Sequence, residues 1–259
     1  MHFTTLLIQP PGIDAQLLNL MLAPEKFHVS SAECGLDAWN LILTTQPPDL
    51  VILDADMPHS GDIRIGAVQI LESMSSRPAW KNTAKLLLTS HQTPTLLQQA
   101  KKANIDAVIL KPYDPRRFVN EVFNILNRLL ETHISEVNKQ HVRLGTLMKE
   151  VIQSGKTASS EKMQQTLKRI PDAIERHFRY EEQFMSQHNY PAFLEHHKNH
   201  GILLAKARSI TNAPGTWKVS VVIEQIDRLK DELFHDIDDD RKYIAFLHQL
   251  QAGLVQRAA

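Results

Sequence analysis

The sequence contains little of what several classes of protein require. One cysteine, Cys34, stands in 259 residues, which excludes a disulfide framework and is compatible with a reducing compartment. No apolar run is long enough to span a bilayer, and the first residues lack the basic stretch and cleavage site of a signal peptide. Basic and acidic residues balance at 29 each, so no excess of positive charge argues for nucleic acid. We expect a cytoplasmic protein with neither a membrane nor a nucleic acid as its partner.

The first half of the chain alternates short apolar runs with amphipathic stretches. The runs read as buried strands and lie at 6–8, 50–53, 86–88 and 108–110. The stretches read as helices and lie near 13–23, 35–45, 62–76 and 93–103. This alternation predicts an α/β fold, a doubly wound parallel sheet with helices on both faces. In this class the ligand site lies at the carboxyl ends of the strands.

The second half of the chain is helical in pattern from about residue 115 onward. Breaks are predicted near Gly155, at 189–191 and at 212–215. No proline occurs between Pro115 and Gln153, so the last helix of the first domain is predicted to run directly into the second domain, with a break at 132–133 as the alternative. We therefore expect one domain at 1–130 and an all-α domain at 131–252.

Histidines and acids of the helical half recur at helical spacing. Residues four apart on a helix lie on one face, so His177 with Glu181, and His196 with His200, can each present two donor groups to one point. Bundles of helices gather such pairs into their cores. Five imidazoles with two carboxylates suit iron, manganese or zinc better than calcium. The ordered set is His141, His177, Glu181, His196, His200, His235 and Asp240.

This set closely resembles the hemerythrin family, together with the flanking segments 136–141, 177–182 and 190–196. The resemblance implies a four-helix bundle in which the seven residues are the ligands of two iron ions, an oxo- and carboxylate-bridged di-iron centre. A further histidine, His188, falls in the loop before the third bundle helix, and we expect it to be solvated. Glu182 and His197 lie about 100° round the helix from their ligand neighbours and are predicted not to be ligands. Pro171 is predicted to kink the second bundle helix.

Glu232 departs from the family's pattern, which usually has leucine three residues before the last histidine. Residues three apart share a helix face, so Glu232 is predicted to point to the same centre as His235. The Glu-x-x-His spacing occurs in carboxylate-rich di-iron proteins. We therefore predict that Glu232 is an eighth metal ligand, or a gate or general base beside the open metal position. The alternative is that its carboxylate swings to solvent.

The first half resembles the receiver domain of bacterial response regulators. The segment 48–58 matches the family's phosphate-accepting segment, which makes Asp54 the acceptor. Thr89 matches the switch hydroxyl, and Lys111 matches the lysine that pairs with the phosphate. The resemblance implies the flavodoxin-like fold of receivers, a histidine kinase as partner and a homodimer formed through this domain.

Two departures weaken that expectation of phosphorylation. Receivers usually hold Mg²⁺ with two acids after the first strand, but this chain has Gln9 and Pro10 there, and Val108 replaces the aromatic switch residue. Phosphoryl transfer depends on a metal that neutralises developing charge. We therefore predict weak Mg²⁺ binding and little phosphorylation of Asp54, and a receiver fold kept for dimerisation or docking is the alternative to a working phosphoacceptor.

Together these patterns predict a signalling protein that senses O₂, another diatomic ligand, peroxide or redox state. One alternative is a di-iron oxidase or peroxidase regulated by its receiver domain, with Glu232 as the extra ligand. The other is an oxygen carrier or an iron store. Reversible binding favours a sensor or carrier, whereas turnover favours an enzyme.

Overall fold

The computed structural model describes residues 3–23, 27–57, 65–157, 160–212 and 218–258. Side chains at 160, 234–239 and 255–258 lie outside that description. The chain divides into two compact units, residues 1–130 with 251–259 and residues 131–250. None of the described helices is both long enough and apolar enough to cross a membrane.

The first unit is built on a parallel sheet of five strands, in the order β2-β1-β3-β4-β5. The strands are β1 Phe3–Ile8, β2 Phe27–Ala32, β3 Leu50–Asp54, β4 Ala84–Thr89 and β5 Ala107–Leu110. The helices between them are α1 Ile13–Leu22, α2 Gly35–Thr44, α3 Ala67–Ser75 and α4 Pro94–Lys102, with one 3-10 turn at Pro78–Trp80. The predicted doubly wound α/β fold is confirmed.

Burial explains which strands the sequence reveals. Every residue of β3 and β4 is buried, because strands inside a parallel sheet are covered on both faces and read as continuous apolar runs. Strand β2 was not predicted, since it lies at the sheet edge and exposes several residues between buried Phe27 and Ala32. Its polar composition hides it from a search for apolar runs.

One long helix, α5, runs from Pro115 to Lys156 over 42 residues. Its start is capped by Asp114, whose Oδ1 accepts a hydrogen bond from the Arg117 amide at 2.9 Å. The helix continues without the alternative break at 132–133, so the predicted direct connection is confirmed. The helix ends beside Gly155, where an added Cβ would lie 2.8 Å from the Ile223 side chain.

The remaining helices are α6 Ser160–Leu167, α7 Ile170–Gln187, α8 Phe193–Thr211 and α9 Val219–Ala258. Buried apolar residues from α5 to α9 form one cluster that includes Met148, Ile174, Leu203 and Ile226. The predicted kink at Pro171 is wrong, because this proline stands in the first turn of α7, where its missing amide hydrogen has no helical partner to lose.

Candidate metal centre

Two groups of metal-ligating side chains converge in the second unit. The first group is His141, His177, Glu181 and Asp240, and the second is Glu181, His196, His200 and Asp240. Within each group one ligand atom per residue lies within 4.8 Å of all the others. The two groups share both carboxylates, so the arrangement offers two neighbouring cation positions with Glu181 and Asp240 common to both.

Four helices supply these residues. His141 lies on α5, His177 and Glu181 on α7, His196 and His200 on α8, and Asp240 on α9. The two pairs with a spacing of four residues each lie on one helix face, as predicted. Such convergence from separate helices is how bundles build metal sites in their cores.

Glu181 is the centre of the arrangement and is fully buried. Its Oε2 lies 3.6 Å from the Nε2 of His177 and 3.7 Å from the Nε2 atoms of His196 and His200. Its Oε1 lies 3.9 Å from the Nε2 of His141. One carboxylate thus faces imidazole nitrogens of both groups, the position that a bridging ligand requires.

Asp240 faces the same nitrogens from α9. Its Oδ2 lies 3.1 Å from the Nε2 of His141, and its Oδ1 lies 3.7 Å from the Nε2 of His196. One carboxylate oxygen of Asp240 therefore lies beside a histidine of the first group, and the other lies beside a histidine of the second group. Asp240 is buried, which keeps its carboxylate from water and directs it to the histidines.

A carboxylate behind the ligands orients His200. The Nδ1 of His200 lies 2.8 Å from the Oε1 of Glu182, whose Oε2 lies 2.9 Å from the Nδ1 of His197. This contact leaves the Nε2 of His200 directed at the shared carboxylates. Glu182 belongs to neither of the two groups, and the sequence analysis missed its contact with His200. The signal was the second acid directly after Glu181.

A parallel contact orients His177. Its Nδ1 lies 3.2 Å from the Oε1 of Gln140, whose Nε2 donates to the Oε1 of Glu136 at 3.1 Å. An amide that holds the outer ring nitrogen fixes the tautomer and the plane of the imidazole. The sequence analysis missed Gln140, which is adjacent in the chain to the ligand His141.

Burial and neighbouring charge set the protonation of these histidines. Burial, reinforced by the neighbouring histidines, lowers the pKa of His177 to about 2. Burial also lowers the pKa of His200, although the hydrogen bond to Glu182 opposes it. Burial acts in the same direction on His141, but the hydrogen bond and charge of Asp240 outweigh it and raise its pKa. Neutral imidazoles are the form that binds a metal.

Two predicted ligands are not in these groups. The side chain of His235 lies outside the described residues, so its place stays a prediction. Glu232 is described, and its Oε2 lies 2.5 Å from the Nζ of Lys206, with 44% of its side chain exposed. The structure therefore places Glu232 in a surface ion pair on α9 and does not bring it to the groups around Glu181.

The expectation that His188 is solvated is wrong. His188 caps the end of α7 and is 1% exposed. Its ring centroid lies 4.1 Å from that of Phe184. The chain turns directly after it, because Asn189 adopts a left-handed φ of 52° that asparagine tolerates better than most residues. The turn folds the histidine inward.

The receiver residues meet at the carboxyl end of β3. Asp54 is buried there, and its Oδ2 lies 2.5 Å from the Nζ of Lys111. The other oxygen of Asp54 accepts a hydrogen bond from the Asp56 amide at 2.9 Å. Thr89 is buried at the end of β4 and its hydroxyl donates to the His91 carbonyl at 3.1 Å. The predicted residues are thus together at one sheet edge.

The two departures also lie where the sequence analysis placed them. Gln9 follows β1 directly and is buried, and its backbone N–H donates a hydrogen bond to the Ala32 carbonyl at 3.0 Å. Pro10 is next in the chain, and Val108 packs partly buried against the core of this unit. Neither of the convergent metal-ligating groups includes Asp54 or Asp56.

Family models match both halves of the chain. A response regulator receiver domain matches residues 12–123, and a hemerythrin HHE cation-binding domain matches residues 122–245. The chain carries a receiver domain followed by a hemerythrin-type cation-binding domain. All the ligand atoms described above belong to the second match, and Asp54, Thr89 and Lys111 belong to the first. A search of curated proteins found no match.

Several solved structures that match the chain are receiver domains or response regulators, and each covers about half of the chain. The receiver domain of a sensor histidine kinase from Pseudomonas aeruginosa is 12% identical, with a TM-score of 0.43, covering 49% of this chain and 98% of its own. A response regulator from Chloroflexus aurantiacus is 25% identical, with a TM-score of 0.43 and the same coverage. A receiver domain from Pseudomonas fluorescens is 21% identical, with a TM-score of 0.44, covering 50% and 98%.

Proposed function

We propose that the hemerythrin-type domain holds two iron ions and senses O₂, another diatomic ligand, peroxide or redox state. His141 and His177 would hold one ion, and His196 and His200 the other, with His235 completing the set of seven. The carboxylates of Glu181 and Asp240, which both groups share, would be common ligands of the two ions. The observation that carries this proposal is the pair of convergent groups that share both carboxylates.

The buried polar atoms fit a cation at this place. The Nε2 of His196 and the Oδ1 of Asp240 are buried and have no hydrogen-bond partner within the part of the chain that the structure describes. Leaving such groups unsatisfied costs about 1 to 3 kcal/mol each. A cation between these two atoms would satisfy both, and a donor set of imidazoles and carboxylates suits iron.

When bound, a di-iron centre supplies redox chemistry with O₂ or peroxide. The protein's contribution is to hold the donors. Glu182 and Gln140 fix the outer nitrogens of His200 and His177, and the fully buried Glu181 keeps the centre away from bulk water. These contacts give the metal-facing nitrogens of His200 and His177 one orientation before a metal binds.

Signalling is the role that the domain order supports. A receiver domain followed by a cation-binding domain joins a partner-docking module to a ligand site. The helix α5 carries residues of both matches and also carries His141. A change at the metal could therefore move a helix that the receiver domain shares. Within this proposal a histidine kinase is the partner of the receiver, which also forms a homodimer.

The enzyme alternative depends on Glu232 and is less well supported by its placement. The carboxylate of Glu232 forms an ion pair with Lys206 at the surface and belongs to neither of the two groups around Glu181. The variant Glu232→Leu tests this directly. We expect an unchanged iron content and an unchanged rate of oxidation by air. Slower oxidation would indicate that Glu232 acts at the metal and would favour an oxidase or peroxidase. The carrier and iron-store alternatives predict no response of the receiver domain to oxidation.

The ligand assignment is tested by removing one imidazole. His200→Ala should lose much of the bound iron, because each ion has few replaceable ligands. Lys198→Ala is the control, since Lys198 lies on the same helix α8 and is exposed to solvent. Equal iron in both variants, measured by metal analysis of the full chain, would contradict the assignment.

A further inference from the structure

A groove of about 570 Å³ lies on the hemerythrin-type domain, between α5 and α7. Its volume falls within the range of about 300 to 1,000 Å³ that small-molecule sites occupy. The residues from α5 span Gln140 to Glu150, and those from the opposite side include Arg169, Ala173 and Arg176. All of them belong to one compact unit.

The wall of this groove is positively charged. Arg143, Arg169 and Arg176 line it against a single acid, Glu150. Arg143 contacts Glu136 at 3.3 Å, but Arg169 and Arg176 form no ion pair within the described ranges. The chain as a whole has equal numbers of basic and acidic residues. The groove is therefore a local excess of positive charge in a protein that has none overall.

Part of the lining of the groove is apolar. Val142 lines it with 70% of its surface exposed, and the lining residues Leu147 and Ala173 are partly buried against the domain core. A bound ligand with an apolar body would cover the exposed surface of Val142. Arginine and apolar residues together are the combination that recognises a molecule with an anionic head and an apolar body.

We propose that this groove binds a small organic anion, a phosphate or carboxylate group carried on an apolar body. Guanidinium groups bind either head in a bidentate manner, so Arg169 and Arg176 would hold the head. Val142 and Leu147 would contact the body. The groove adjoins the candidate metal centre, because His177 and its partner Gln140 contribute to its lining.

The test is calorimetric titration of the metal-free full chain, which makes the outcome independent of the metal assignment. Four probes separate the parts of the ligand: phenyl phosphate, benzoate, inorganic phosphate and phenol. We expect phenyl phosphate or benzoate to bind, more tightly than inorganic phosphate and with no binding of phenol. Binding of phenyl phosphate but not of benzoate identifies phosphate as the head, and the reverse identifies carboxylate.

Two variants place the binding in the groove. The double variant Arg169→Gln, Arg176→Gln should weaken it at least tenfold, whereas Arg179→Gln, on the same helix but outside the groove, should leave it within twofold. Thr146→Trp should block the groove without changing its charge. Failure of both organic anions to bind, or an equal loss in the Arg179 variant, overturns the proposal. So does equal binding of inorganic phosphate and phenyl phosphate, because the apolar lining residues would then have no role.

Discussion

Removing the carboxylate behind His200 should weaken metal binding without removing a ligand. In Glu182→Ala the Nδ1 of His200 loses an acceptor at 2.8 Å, so the imidazole can rotate and switch tautomer. Partners of this kind typically contribute about 10- to 100-fold to metal affinity. That range corresponds to about 1.4 to 2.7 kcal/mol.

The assay is competition between the full chain and a chelator for Fe²⁺, followed at neutral pH. Glu175→Ala is the control, because Glu175 lies on the same helix and forms ion pairs with Arg179 and Arg208 at the surface. We expect the control to keep the affinity of the unaltered protein. An affinity of Glu182→Ala within twofold of the unaltered protein, with equal thermal stability, would refute the orienting role of Glu182.

Three further predictions concern other parts of the chain. Burial lowers the pKa of His133 to about 3, whereas in the unfolded chain its pKa is about 6.5, so between these pH values the unfolded state binds more protons. The free energy of unfolding should therefore decrease as the pH is lowered from about 6.5 to about 3, by up to about 1.4 kcal/mol per pH unit. In chemical unfolding of the metal-free protein, His133→Gln should make this decrease less steep, and an equal slope would contradict the prediction. After treatment with acetyl phosphate and Mg²⁺, mass spectrometry should find Asp54 largely unmodified. The double variant Gln9→Asp, Pro10→Asp should increase the phosphorylation of Asp54. Stoichiometric phosphorylation of Asp54 in the unaltered protein would contradict this prediction. Two glycines inserted between Glu131 and Thr132 should leave iron bound but make dimerisation of the receiver domain independent of the oxidation state of the iron. If dimerisation and oxidation state are already independent in the unaltered protein, the proposed coupling through α5 is contradicted.

The fold was largely predictable because its periodicities are strong. The fully buried strands β3 and β4 and the uninterrupted pattern of α5 appear directly in the sequence. The edge strand β2 does not, since its exposed face is polar. Pro171 was misread because a proline inside a helix and one at a helix start look alike until the preceding break is known.

The candidate metal-ligating groups were predictable where spacing on one helix determines geometry. The pairs on α7 and α8 follow from a separation of four residues. Glu182, Gln140 and His188 were not predicted, because their roles depend on side-chain direction and on contacts between helices. Glu232 has the right spacing for a ligand, but its carboxylate forms a surface ion pair with Lys206 on another helix, a contact that spacing along one helix does not reveal.

The most direct test of the account is iron analysis of the purified full chain, with absorption spectra of the reduced protein before and after air. The account predicts close to two irons per chain and a new visible absorption after air that scales with the iron content. A single zinc ion per chain, or two irons whose spectrum does not respond to air, would contradict it.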